Sequence, residues 1–206
     1  MMLTCQKDKF SLPEDVSYLN CAFFSPLLND VEKIGYEAIA KKRLPYKIGI
    51  EDFFKPVERL KKLFAQLIEA DDHEQITLIP GVSYGIANVA KNITLKANEN
   101  IVVVAEQFPS NIYSWIKKAK DNGSKIKTIY PTEKRPDRGN SWNENILNAI
   151  DEKTKLVAIA NFHWTDGTLF DPKSIRRQYD KYYTLLVIGG SQSSWSITFL
   201  SKRNKV

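Results

Sequence analysis

The chain reads as an α/β protein with a mainly parallel sheet and helices on both faces. Two features of the amino-acid sequence point there. Short apolar, β-branched runs alternate with segments of helical periodicity from about residue 75 onward, the pattern of successive βα units with right-handed crossovers. Several of those runs also stop abruptly at polar or glycine-bearing turns, as buried parallel strands do where they deliver loops to the carboxyl edge of a sheet.

The elements follow in order. The first 25 residues are irregular, with Tyr18 to Ala22 extended ahead of Ser25-Pro26. Asn29 to Arg43 forms a helix on Val31, Ile34, Ala38 and Ile39, and Leu44-Pro45 stops it. A second helix runs from about Glu51 to Ala70. Val57, Leu60, Leu63, Phe64, Leu67 and Ile68 make its apolar stripe, and Lys61 and Lys62 lie on its wet side. Gln75 to Ile79 is a strand, and Ser83 to Asn92 a helix just after Pro80-Gly81. Ile101 to Ala105 is a strand of almost pure β-branched character. The helix Asn111 to Asp121 ends at Asn122-Gly123, a good C-cap. Lys125 to Tyr130 is a strand, then Asn143 to Ile150 a helix with Ser141 as its N-cap. Lys155 to Asn161 is a strand, Asp171 to Tyr182 a helix with Pro172 in its first turn, and Thr184 to Ile188 a buried strand. The division expected is an irregular and helical segment over 1–70, an α/β domain over 71–193 and a basic tail over 194–206.

Bulk properties narrow the function. At 206 residues, 43% apolar with four Trp, nine Tyr and ten Phe, the chain can bury a sizeable core. The net charge of +6 comes from lysines spread over helix surfaces such as Lys117, Lys118 and Lys120, so no nucleic-acid partner is expected. No run approaches about 18 apolar residues, so no membrane span is expected. Cys5 and Cys21 form no CxxC pair and no metal-binding spacing. Two such cysteines and no apolar leader suit a reducing cytoplasm.

Four strand ends carry candidate chemistry. At Ile79-Pro80-Gly81-Val82-Ser83-Tyr84-Gly85 a strand meets a helix. Exposed amides at this junction, the helix dipole and the Ser83 hydroxyl favour an anion such as phosphate, although Ser83 also serves as a plain N-cap. No Gly-Lys-Ser/Thr ending follows, so this is no Walker loop. At Glu106 to Asn111, Phe108 can stack on a planar ring or belong to the core. Asn161 to Thr168 is dense in polar and aromatic groups, with His163 either structural or catalytic. The last is Gly189-Gly190-Ser191-Gln192.

Together the four segments resemble the class V aminotransferases, the fold-type I pyridoxal-phosphate (PLP) enzymes that include cysteine desulfurases and kynureninase-like proteins. The resemblance covers roughly residues 15 to 193. It rests on ITLIPGVSYGIANVAKNI, VVVAEQFPSNIYSW, TKLVAIANFHWTDGTLFDP and LLVIGGSQS, in order and spacing. It implies the large domain of the PLP-dependent transferase fold, incomplete here, with a helical N-terminal segment. It implies PLP as cofactor, an amino-acid substrate, a homodimer, and transamination, desulfuration or lyase chemistry. The cofactor residues it implies are Val82 and Ser83 at the phosphate, Phe108 on the ring face, Thr165 beside the ring and Gln192 at the ring hydroxyl. Gly189 stands where the family has the aspartate that pairs with the pyridine nitrogen, and the lysine that forms the Schiff base falls beyond Val206. Lys202 and Lys205 sit in no matching motif, so no catalytic residue is assigned. The expectation is a C-terminally truncated, inactive chain, set against a non-catalytic interaction module or half of a composite PLP enzyme.

Overall fold

A computed structural model describes residues 4–21, 23–132 and 137–193. The expected basic tail, 194–206, lies outside them. The chain divides into two compact units, Met1–Leu60 and Lys61–Val206.

In the first unit, Phe10 and Leu28 make an isolated antiparallel bridge and the Ser11 hydroxyl donates to Asn29 Oδ1 at 2.8 Å. Helix α1 is Asn29–Lys41 and α2 begins at Glu51. α2 runs to Leu67, three residues short of the expected Ala70, and crosses the boundary between the units. Its faces differ from the expected ones. Lys61 is enclosed, 14% exposed, with its ammonium 2.7 Å from Glu74 Oε2, while Leu63 is 52% exposed. Periodicity marks a stripe, but the packed face is decided by what covers it, and a lysine stem can be buried while its head reaches a carboxylate.

The second unit holds a four-stranded parallel sheet. Its strands are β1 (Asn100–Val104), β2 (Lys125–Ile129), β3 (Thr154–Ala160) and β4 (Leu185–Gly189), in the order β2-β1-β3-β4. Its helices are α3 (Val82–Asn92), α4 (Tyr113–Asn122), α5 (Arg138–Ala149) and α6 (Pro172–Tyr182). Strand alternation sorts the core into two layers. Val102, Val104, Val157 and Ile159 meet Trp142 and Ile146 of α5 and Ile175 of α6 on one face. Ile101, Val103, Leu156 and Ala158 meet Ile86 and Ala90 of α3 and Trp115 of α4 on the other. The α/β reading with helices on both faces therefore holds.

Local chemistry accounts for the ends. Gly123 takes the left-handed conformation, φ 66°, as the expected C-cap of α4, and Ser124 N–H closes on Ala119 O at 2.9 Å. Asp171 Oδ1 caps α6 by accepting from the N–H groups of Lys173 and Ser174.

Three expectations need correction. Gln75–Ile79 is no strand: His73–Gln75 is a 3₁₀ turn and Ile76 is extended. A strand exists only where a neighbour hydrogen-bonds it, and none does among the described residues. α5 starts at Arg138, so Ser141 lies inside it and donates to Arg138 O rather than capping. β4 is half-buried throughout, not buried, because among the described residues only β3 flanks it.

Candidate functional site

The loops after β1, β3 and β4 lie side by side at the carboxyl edge of the sheet, since those strands are consecutive neighbours. The α3 helix packs against the Pro109–Asn111 turn of the first loop, which brings a fourth segment to the same region.

At α3, Gly81 N-caps the helix and the first intrahelical bond starts at Tyr84 N–H. The amides of Val82 and Ser83 thus have no helical acceptor, and no acidic residue occupies the first turn. Both residues are exposed.

The β1 loop leaves the sheet through Glu106, a non-glycine residue at φ 52°. Trp164 Nε1 donates to Glu106 O at 2.7 Å and fixes this turn. Phe108 is half-buried and lies edge-to-face on Trp164, ring centroids 5.3 Å apart. One ring thus steadies the other across two loops.

The β3 loop is built around His163, 1% exposed between Trp142 and Phe170. Its Nε2 lies 3.0 Å from Ala105 O; a carbonyl only accepts, so Nε2 carries the proton. Nδ1 is 2.8 Å from Thr165 Oγ1 and 3.6 Å from Asp166 Oδ1. Asp166 also pairs with Arg138 Nε at 2.9 Å. Burial works to raise the Asp166 carboxyl. The Thr168 amide and hydroxyl, with the fields of His163 and Arg138, outweigh it and hold the group below the ordinary range. His163 is therefore a tie between strand ends. Thr165 is exposed, with its hydroxyl committed to that tie. Gln192 is half-buried in the turn after β4, where Ser193 N–H bonds Gly190 O.

The sequence reading passed over a further set. Among the described residues, buried side-chain atoms without a hydrogen-bond partner are Gln107 Nε2, both polar atoms of Asn111, Asn161 Oδ1 and Trp115 Nε1. Three of these four residues lie on the loops after β1 and β3. Their polarity was visible in the sequence; their burial was not. An open groove of about 340 Å³ between α3 and α4 is lined by Ala87, Lys91, Lys117 and their neighbours and contains none of the expected site residues.

The arrangement suits one kind of ligand. A helix N-terminus without acidic side chains takes an anion, two aromatic rings offer a planar contact, and unpaired amides await neutral polar atoms. A phosphorylated heteroaromatic such as PLP has those three parts, so the residues present fit it. Fold and edge together define an α/β protein of the PLP-dependent transferase class.

The class-V aminotransferase family model matches residues 49–204, and the chain belongs to that family. A probable cysteine desulfurase of Borreliella burgdorferi is 26% identical over 184 residues, 87% of this chain and 40% of that protein. The uncharacterized aminotransferase YcbU of Bacillus subtilis is 25% identical, covering 79% of this chain and 40% of that protein. Among solved structures, a C-DES mutant with glycine covalently linked to its PLP cofactor superposes with a TM-score of 0.82 at 17% identity, over 98% of this chain and 54% of that one. The Escherichia coli cysteine desulfurase CsdA gives a TM-score of 0.73 at 18% identity, over 93% and 49%. These structural likenesses show the fold. The chain spans about 40% of the curated relatives named here and about half of the solved ones.

Proposed function

We propose that the carboxyl edge of this sheet is a cradle for PLP and that the chain serves amino-acid chemistry of the class-V aminotransferase type. The observation that carries the reading is the packing of α3 against a loop edge that holds both paired aromatic rings and unpaired buried amides. Val82 and Ser83 hold the phosphate through amides and hydroxyl. Phe108, steadied by Trp164, covers the ring face and excludes water. Thr165 and Gln192 stand beside the ring. When bound, PLP supplies an electron sink for bond changes at the amino-acid α-carbon. The cradle lies within the 71–193 region.

Saturable quenching of tryptophan emission by PLP tests the reading directly. Ser83→Ala and Phe108→Ala are each expected to weaken binding about tenfold, the worth of one lost hydrogen bond or ring contact. Binding that ignores both substitutions overturns it.

The same reading carries a homodimer. Open apolar side chains in the Met1–Leu60 unit, among them Phe23, Phe24, Ile39, Phe53 and Phe54, support it. Light scattering should give twice the chain mass. A cytoplasmic setting is part of the proposal, supported by Cys5 and Cys21 being free and exposed. Among the described residues no helix is long and apolar enough to cross a membrane.

A further inference from the structure

Asn111 closes the Pro109–Asn111 turn between β1 and α4 and is 4% exposed. Neither Nδ2 nor Oδ1 has a partner among the described residues. A buried amide in that state destabilises the fold, and such groups persist where a ligand or ordered water meets them. Gln107 Nε2 and Asn161 Oδ1 are unmet at the same sheet edge. Apart from Trp115 Nε1 in α4, the unmet atoms among the described residues thus lie on the loops after β1 and β3.

Gly189 supplies the direction. The three heavy atoms nearest a Cβ built on it are Asn111 Nδ2 at 3.4 Å, Ile159 O at 3.8 Å and Ala160 Cα at 3.9 Å. The side chain nearest the space beside Gly189 is therefore a neutral amide, and Gly189 itself brings no carboxylate.

We propose that Asn111 takes the position opposite the cofactor's ring nitrogen that Gly189 leaves empty, pairing with it through the neutral amide Nδ2–H. The inference rests on the cradle reading above. A neutral amide donates to the lone pair of an unprotonated pyridine nitrogen but brings no negative charge to hold a ring proton. The ring nitrogen then stays unprotonated at neutral pH. The bound cofactor is a weaker electron sink than one paired with a carboxylate, so α-carbon chemistry in any assembly built on this chain is slow.

The probe is 4'-deoxypyridoxine 5'-phosphate labelled with nitrogen-15 in the ring. It has a methyl group in place of the aldehyde, so it binds without bonding to any lysine. With the intact chain at pH 7, the bound ligand should show the resonance of an unprotonated, hydrogen-bonded pyridine. Asn111→Leu should raise Kd about tenfold with the thermal transition retained. Asn111→Asp, nearly isosteric, should keep binding and move the resonance to the protonated position. A protonated resonance in the unsubstituted chain, or equal affinity in Asn111→Leu, overturns the inference while leaving the cradle intact. Failure of the unsubstituted chain to bind the probe overturns the cradle itself, and the inference with it.

Discussion

The two ends of the same strands treat buried polar groups in opposite ways. At the amino edge, the Thr154 hydroxyl lies 3.0 Å from Asn100 Oδ1 and from Asp151 Oδ1 and accepts from Asp151 N–H at 3.0 Å. Thr184 Oγ1 donates to Thr154 O at 2.9 Å, and Lys127 Nζ bonds both Ala149 O and Asp151 Oδ2. Every one of these side chains has a partner. At the carboxyl edge His163 is tied in this way, while Gln107, Asn111 and Asn161 hold buried atoms with no partner among the described residues. A fully paired network is structural: it fixes register, here beside the irregularity between Asn100 and Ile101 where β1 meets β3. An unpaired one is shaped for something the chain does not itself supply. Fold is maintained at one edge and binding is offered at the other.

Substitutions can break that contrast. The largest effect is expected at His163, a buried carboxyl-edge residue that behaves like the amino edge. His163→Ala empties a space against Trp142 and Phe170 and strands Ala105 O, and should cost about 3 kcal/mol in urea denaturation. A loss under about 1 kcal/mol would mean the tie is dispensable. Thr154→Val removes the shared hydroxyl while leaving Asn100 and Asp151 in place, and should cost about 2 kcal/mol by the same measurement.

Acid titration sharpens the amino edge further. Burial works to raise the Asp151 carboxyl, but hydrogen bonds from Lys127, Thr154, Asn100 and Lys153 outweigh it and bring it down to about 2, from an ordinary 3.8. A depressed carboxyl stabilises the fold above its unfolded value and loses that contribution as pH falls through the folded one. The chain should therefore lose stability between pH 4 and pH 2, and Asp151→Asn should flatten that limb. The group is 38% exposed, so the effect is modest. An unchanged limb in the variant would show the pairing to be idle.

The smallest effect belongs to the carboxyl edge. Asn111→Leu breaks no hydrogen bond within the described residues, so stability should change by less than about 1 kcal/mol. A loss of 2 kcal/mol or more would make Asn111 part of the scaffold and erase the difference between the edges.

Much of this layout is legible in the chain. Ile101 to Ala105 and Lys155 to Asn161 announce strands by composition, and Asn122-Gly123 announces a helix end, because these signals act within a few residues. Ser83 and Phe108 stand out because one opens a helix and the other interrupts a polar strand exit. Asn111 gave no such signal; it passes for the first residue of a helix. Ile76–Ile79 misled for the opposite reason, since its composition suits a strand while pairing depends on residues elsewhere.

By itself the sequence determined the α/β class, the alternation that splits the core into two layers, and the four segments that meet at one edge. Those features follow from side-chain spacing along the backbone, which needs no distant partner. Only the tertiary structure decided which polar groups would be satisfied. Residues 111 and 189 lie far apart in the chain, one on the loop that follows β1 and the other at the end of β4, and the order β1-β3-β4 brings them together. Whether an amide is paired or left waiting is a property of that meeting, because a hydrogen bond needs both groups within about 3 Å and water excluded from between them.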